Sequence, residues 1–162
     1  GPQPFCPVGE LVTTILLLGF VPVLAYPAQP LFPRYRSRGR EGQRELAFVF
    51  TGVGYTIAFL WALLAGVSPE IRTICAGYFF SALFLTLCNR VLHRRASGHA
   101  CSAAGPLLFL IYYFGWWLLL PSIVIGWLVA WASVALKRHT PTDLLWGALC
   151  SAAGFAIAVL WF

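Results

Sequence analysis

The sequence predicts an all-α fold, a polytopic bundle of six transmembrane helices forming one membrane-embedded domain over residues 1–162, and three observations predict it. Hydrophobic residues make up 60% of the chain and charged residues only 10%. A soluble domain carries about 25% charged residues, so too few remain here to coat a water-facing surface. The uncharged runs are as long as a bilayer core requires. The cations fall in short interruptions between those runs, which is how membrane proteins place charge. A soluble enzyme, a disordered tail and a nucleic-acid module are thereby excluded, although the net charge of +6, taken alone, resembles a nucleic-acid signal.

Each element follows in order. Residues 1–10 form an N-terminal segment whose opening Gly1-Pro2, in a chain without Met, reads as a protease-cleavage scar. Uncharged stretches cover residues 11–33, 46–69, 73–89 and 144–162. Each holds one helix across a hydrocarbon core of about 30 Å, which needs about 20 residues. Residues 28–45 form a basic interfacial loop. The stretch 100–136 is too long for one span, because its rise would reach about 55 Å. It must fold back, and Gly115, flanked by Trp116 and Trp117 and followed by Pro121, marks an interfacial turn. Six spans result, with both chain ends on one side. The five cysteines (Cys6, Cys75, Cys88, Cys101, Cys150) contain no C-x-x-C pair and read as small hydrophobes. The Trp residues read as interfacial or lipid-facing.

This topology sorts the charges. The side opposite the termini receives Arg34, Arg36, Arg38, Arg40 and Arg44 after the first span. It also receives Arg90, Arg94 and Arg95 after the third, and Lys137 and Arg138 after the fifth. Ten of eleven cations and all three histidines (His93, His99, His139) share it, while the other side keeps Glu10, Glu70 and Arg72. By the positive-inside rule that face is cytoplasmic, in a cell or inner membrane. Histidines add nothing to a topology signal, so their clustering points to an anion site. The arginines of the first loop, interleaved with Phe32 and Tyr35, read equally as a topology anchor and as a grip on anionic head groups, worth about 1 kcal/mol per cation.

Two helix starts lie on that face. Ser97 fits an N-cap, and Gly98 beside it allows close approach of a ligand. Thr140 fits a second N-cap, with Pro141 at the first helical position and Asp143 at the third. A helix N-terminus offers unpaired N–H groups and about half a positive charge. With Arg94, Arg95, Lys137 and Arg138 nearby, the natural ligand is a phosphate. Asp143 is the only acid in these segments, which argues against a hard-metal site. The imidazoles of His99 and His139 can divide the roles of nucleophile and acid, with Asp143 holding one of them. Structural alternatives stand beside these roles. Asp143 would complete a capping box, and the histidines would be interfacial residues without chemistry. His93 has no matching partner and reads as structural. Thr140 and Thr142 read as local helix-start residues.

These segments resemble the signature of the type 2 phosphatidic acid phosphatase superfamily over roughly residues 70 to 162. Its second motif reads P-S-G-H, and this chain has Ala96-Ser97-Gly98-His99. Its third reads S-R-x5-H-x3-D, and His139-Thr140-Pro141-Thr142-Asp143 matches its latter half, with Gly147 in the apolar stretch that follows. The resemblance implies a six-helix membrane phosphatase without metal or cofactor, acting on lipid phosphates or diphosphates. It implies that His139 forms a phosphohistidine, that Asp143 orients it, and that His99 protonates the leaving alkoxide and then activates water. Ser97 and the Gly98 amide would hold phosphate oxygens. The chain departs from the family in two places. The first motif, K-x6-R-P, is absent, so Arg95 stands in as the phosphate clamp with Arg90 or Arg94 assisting. Ser133 occupies the position of the third-motif arginine, so Lys137 or Arg138 would have to reach in.

Two further readings keep the same residues. One is a transferase that moves the phosphoryl group to another lipid or sugar. The other is a catalytically weak scaffold that binds lipid phosphates. A transporter fits less well, since its ionisable groups would lie near the midplane.

Overall fold

The computed structural model describes residues 6–162, so the expected scar at Gly1-Pro2 lies outside the described residues. Those residues are mostly helical, with no strand among them. The chain divides into two compact units, Gly1–Cys75 and Ala76–Phe162.

In the first unit, α1 (Val8–Ile15) runs through a π-helical turn (Leu16–Phe20) into α2 (Val21–Ala28) and a 3-10 turn (Gln29–Leu31). Pro22 explains the π turn. It has no N–H, and its ring would press on the carbonyl four residues back. One extra residue before it resets the ladder, and the Val21 N–H donates to the Leu16 carbonyl. The short α3 (Pro33–Arg36) leads into α4 (Gly39–Leu64). A small core joins Cys6, Ala58, Ala62, Val67, Ile71 and Cys75, with Leu17, Leu18 and Trp61 packed on it. Glu10 of α1 braces the start of α5 (Pro69–Arg90). Its Oε2 accepts from the Ser68 N–H at 3.0 Å and the Ser68 hydroxyl at 2.7 Å.

The 28–45 segment, read from sequence as a loop, is mostly helical: it holds the 3-10 turn, α3 and the first turns of α4. Charge ends a membrane span but does not end a helix. Arg, Glu and Gln are good helix formers, and Arg38 pairs here with both Glu41 and Glu45.

In the second unit, the latter part of α5 packs with α6 (Gly98–Phe114), α7 (Leu119–Ala135) and α8 (Pro141–Trp161). Gly77, Gly105, Gly147 and Gly154 sit where helices meet, and a Cβ at each would press on a neighbouring chain. Such small residues let helix backbones approach closely. Phe109 is the large side chain of this core, stacked on Tyr78 and Tyr113 and edge-on to Phe155. All five cysteines are buried free thiols, and Cys150 donates to Cys88 at 3.5 Å. The expected reversal is at Gly115 (φ 108°), followed by a 3-10 turn at Trp116–Leu118. Trp116 and Trp117 are 81% and 72% exposed, as interfacial anchors would be.

Among the described residues, five helices are long and apolar enough to cross a membrane: Val8–Leu31, Gly39–Leu64, Pro69–Arg90, Trp116–Ala135 and Pro141–Trp161. This pattern is compatible with an integral membrane protein. The expected fourth span is α6, which is apolar but has 17 residues, a rise of about 25 Å. Its length is fixed by the Ser97 cap at one end and Gly115 at the other.

Candidate active site

Two chain connections meet in the second unit, α5 to α6 and α7 to α8. The first leaves α5. His93 adopts a left-handed turn (φ 50°), and the Arg94 N–H donates to the Cys88 carbonyl at 2.9 Å. Asn89 then clamps the returning chain. Its Oδ1 accepts from the Ala96 N–H at 3.1 Å, and its Nδ2 donates to the Ala96 carbonyl at 3.2 Å and to the Leu85 carbonyl at 2.9 Å. A side-chain amide thus replaces the backbone partner Ala96 lacks. Ser97 caps α6 as its sequence predicts, its hydroxyl accepting from the Ala100 N–H at 3.3 Å.

The second connection leaves α7 through a Schellman motif. The Lys137 N–H donates to the Val134 carbonyl at 2.9 Å, and the Arg138 N–H donates to the Ser133 carbonyl at 3.1 Å. That motif explains the positive φ of 53° at Lys137 and delivers His139 immediately before α8. This connection ends at the start of α8, a full capping box. Thr140 Oγ1 accepts from the Asp143 N–H at 3.2 Å, and Asp143 Oδ2 accepts from the Thr140 N–H at 3.0 Å.

One backbone bond ties these starts together. The Ser97 N–H donates to the Asp143 carbonyl at 2.9 Å. One turn along α8, Gly147 leaves room only for a hydrogen, because a Cβ there would overlap the Ser97 carbonyl.

The side chains follow from this frame. Asp143 is buried, and its Oδ2 lies 3.7 Å from Arg95 Nε and 3.9 Å from His139 Nδ1. Both separations are longer than hydrogen bonds, and the Arg95 contact is an ion pair. The His139 side chain is 10% exposed, and the Arg95 side chain, at 62%, opens to the surroundings. The His99 and His139 rings sit edge to face, with centroids 5.9 Å apart. His99, Ser97, Gly98, Arg95, His139 and Asp143 are therefore gathered in one place. Arg90, Arg94 and Arg138 are exposed. The Ser133 hydroxyl donates to the Val129 carbonyl of its own helix at 2.8 Å. Among the described residues, no group of three His, Cys, Asp or Glu side chains is placed to hold a metal ion.

Asn89 is the residue sequence reasoning passed over. Its signal was a single amide at the end of an apolar run, seven residues ahead of Ala96. Replacing Asn89 with Ala leaves the buried Ala96 N–H without its acceptor, which costs about 1–3 kcal/mol. Thermal unfolding in detergent is expected to show that loss, and Asn89→Asp, which keeps the acceptor, is expected to recover part of it.

Compared with known protein families, curated proteins and solved structures, the chain has no significant match. The arrangement offers two helix starts, a guanidinium and two imidazoles to one bound group. It can hold an anion and move protons to and from it.

Proposed function

We propose that the chain is an integral membrane phosphatase of the type 2 phosphatidic acid phosphatase kind, hydrolysing lipid phosphates or diphosphates without a metal. What supports this reading most is the approach of the His99 and His139 rings, 5.9 Å between centroids, with the Asp143 carboxylate at His139 Nδ1. An imidazole whose Nδ1–H faces a carboxylate keeps its lone pair on Nε2. His139 Nε2 attacks phosphorus, a P–N bond forms, and the P–O bond to the lipid breaks. His99 gives its proton to the leaving alkoxide. It then takes a proton from water, which attacks phosphorus and releases inorganic phosphate from His139. Arg95, the Ser97 hydroxyl and the amides of Gly98, His99 and Thr142, which the caps leave over, neutralise the phosphoryl oxygens. In this reading α6 also crosses the membrane, giving six spans, and the site opens on the cation-rich cytoplasmic face.

The chain has no first-motif lysine, and the Ser133 hydroxyl is bound to its own helix. Fewer cations than usual therefore meet the transition state. One missing donor of this kind costs about 10²–10³-fold in kcat, so turnover is expected to be slow.

The test is phosphate release by the purified protein in detergent from phosphatidate, phosphatidylglycerophosphate and a prenyl diphosphate, with EDTA present. Release is expected to survive EDTA and to vanish in His139→Ala. Transfer of the phosphoryl group to an added lipid or sugar alcohol in place of water would favour the transferase reading. Binding of these lipids without turnover would favour the scaffold.

A further inference from the structure

The first unit carries a cationic elbow that the proposed chemistry does not use. It joins Val8–Leu31 to Gly39–Leu64, two segments long and apolar enough to cross a membrane. A reversal between two such helices lies at the membrane–water interface. The elbow is held rigidly. Gln29 Nε2 donates to the Tyr35 carbonyl at 3.0 Å and to the Gly39 carbonyl at 2.8 Å. Gly39 takes a left-handed φ of 56°, and Gly42 sits where a Cβ would overlap the Tyr35 carbonyl. Phe32 packs edge-on against both Tyr35 and Phe50.

The arginines divide into two sets. Arg38 is occupied by Glu41 and Glu45. Arg34, Arg36, Arg40 and Arg44 are exposed and form no salt bridge among the described residues, with Arg34 over the Tyr35 ring at 5.9 Å. Arg40 and Arg44 stand one turn apart on one face of α4. Leu31, 79% exposed, and Phe32, 40% exposed, belong to the same elbow, just ahead of Arg34 and Arg36 in the chain. A topology anchor needs only charge and acts during insertion. A pinned backbone that keeps four guanidinia outside its own ion pairs, next to exposed apolar side chains, fits a lasting ligand.

We propose that this elbow is a binding surface for anionic phospholipid. The exposed arginines take the head-group phosphates, and Leu31 and Phe32 enter the acyl region. The proposal depends on the membrane reading but not on the phosphatase reading.

The test uses the full chain with His139→Ala, which keeps the elbow and silences the proposed chemistry. The purified protein is titrated in neutral detergent with fluorescent phosphatidylglycerol and, separately, with phosphatidylcholine. Phosphatidylglycerol is expected to bind at least about tenfold more tightly and to weaken with salt. Adding Arg36→Gln, Arg40→Gln and Arg44→Gln is expected to remove that preference. Should the triple variant lose helicity, Arg44→Gln alone is expected to lose about fivefold. Equal affinity for the two lipids, or a preference that survives the substitutions in folded protein, overturns the proposal. So does equal competition by glycerol phosphate, which would mark a site for soluble phosphate.

Discussion

Asp143→Asn is expected to cut phosphate release by about 10²–10⁴-fold, while shifting stability by less than about 1 kcal/mol. Asp143 does two jobs with one oxygen. Oδ2 accepts the Thr140 N–H that closes the capping box, and the same oxygen faces His139 Nδ1 and Arg95. An asparagine oxygen still accepts from Thr140, so the helix start is retained. The charge is lost: a neutral amide oxygen now faces His139 Nδ1, so it no longer balances the positive charge that the imidazole gains as it attacks phosphorus. Thermal unfolding and phosphate release, measured on the same preparation, separate the two roles. If activity falls only as far as stability does, Asp143 is a cap and nothing more.

Gly147→Ala is expected to destabilise the protein by about 1–3 kcal/mol, the range of an overpacked core, and to lower turnover beyond the loss of folded protein. The new methyl overlaps a backbone carbonyl, that of Ser97, and cannot be relieved by a side-chain rotation. Either α8 moves away or the start of α6 does. In both cases the bond from the Ser97 N–H to the Asp143 carbonyl is strained, and the spacing of His99 from His139 changes. Gly52, whose added Cβ would meet nothing within 4 Å, is the control. Gly52→Ala is expected to leave unfolding temperature and turnover near those of the parent.

The parts of the site legible in the sequence are those encoded within a few residues. Ser97 and the Thr140-Pro141-Thr142-Asp143 run specify their own helix starts, because a cap bonds two or three positions along the chain. Gly115 between two apolar runs specifies the reversal in the same way. The capping-box alternative for Asp143 is realised, and it stands alongside the contact to His139 rather than replacing it. The clamp from Asn89 to Ala96 and the bond from Ser97 to Asp143 were not legible. Both depend on how α5, α6 and α8 pack. The helical elbow was missed for another reason: charge marks where a membrane span stops, and Arg38 with Glu41 and Glu45 continues the helix past that point.

The central claim is that His139 takes the phosphoryl group and His99 clears it. Acid–base character of the phosphoenzyme tests this most directly. His99→Ala protein is mixed with a 32P-labelled aryl phosphate, whose leaving group needs no proton, and the label on protein is followed after quenching. The account predicts a labelled protein stable in alkali and labile in acid, with the label absent when His139→Ala is added. Label that persists without His139, or hydrolysis by folded wild-type protein with no dependence on His139, would contradict it.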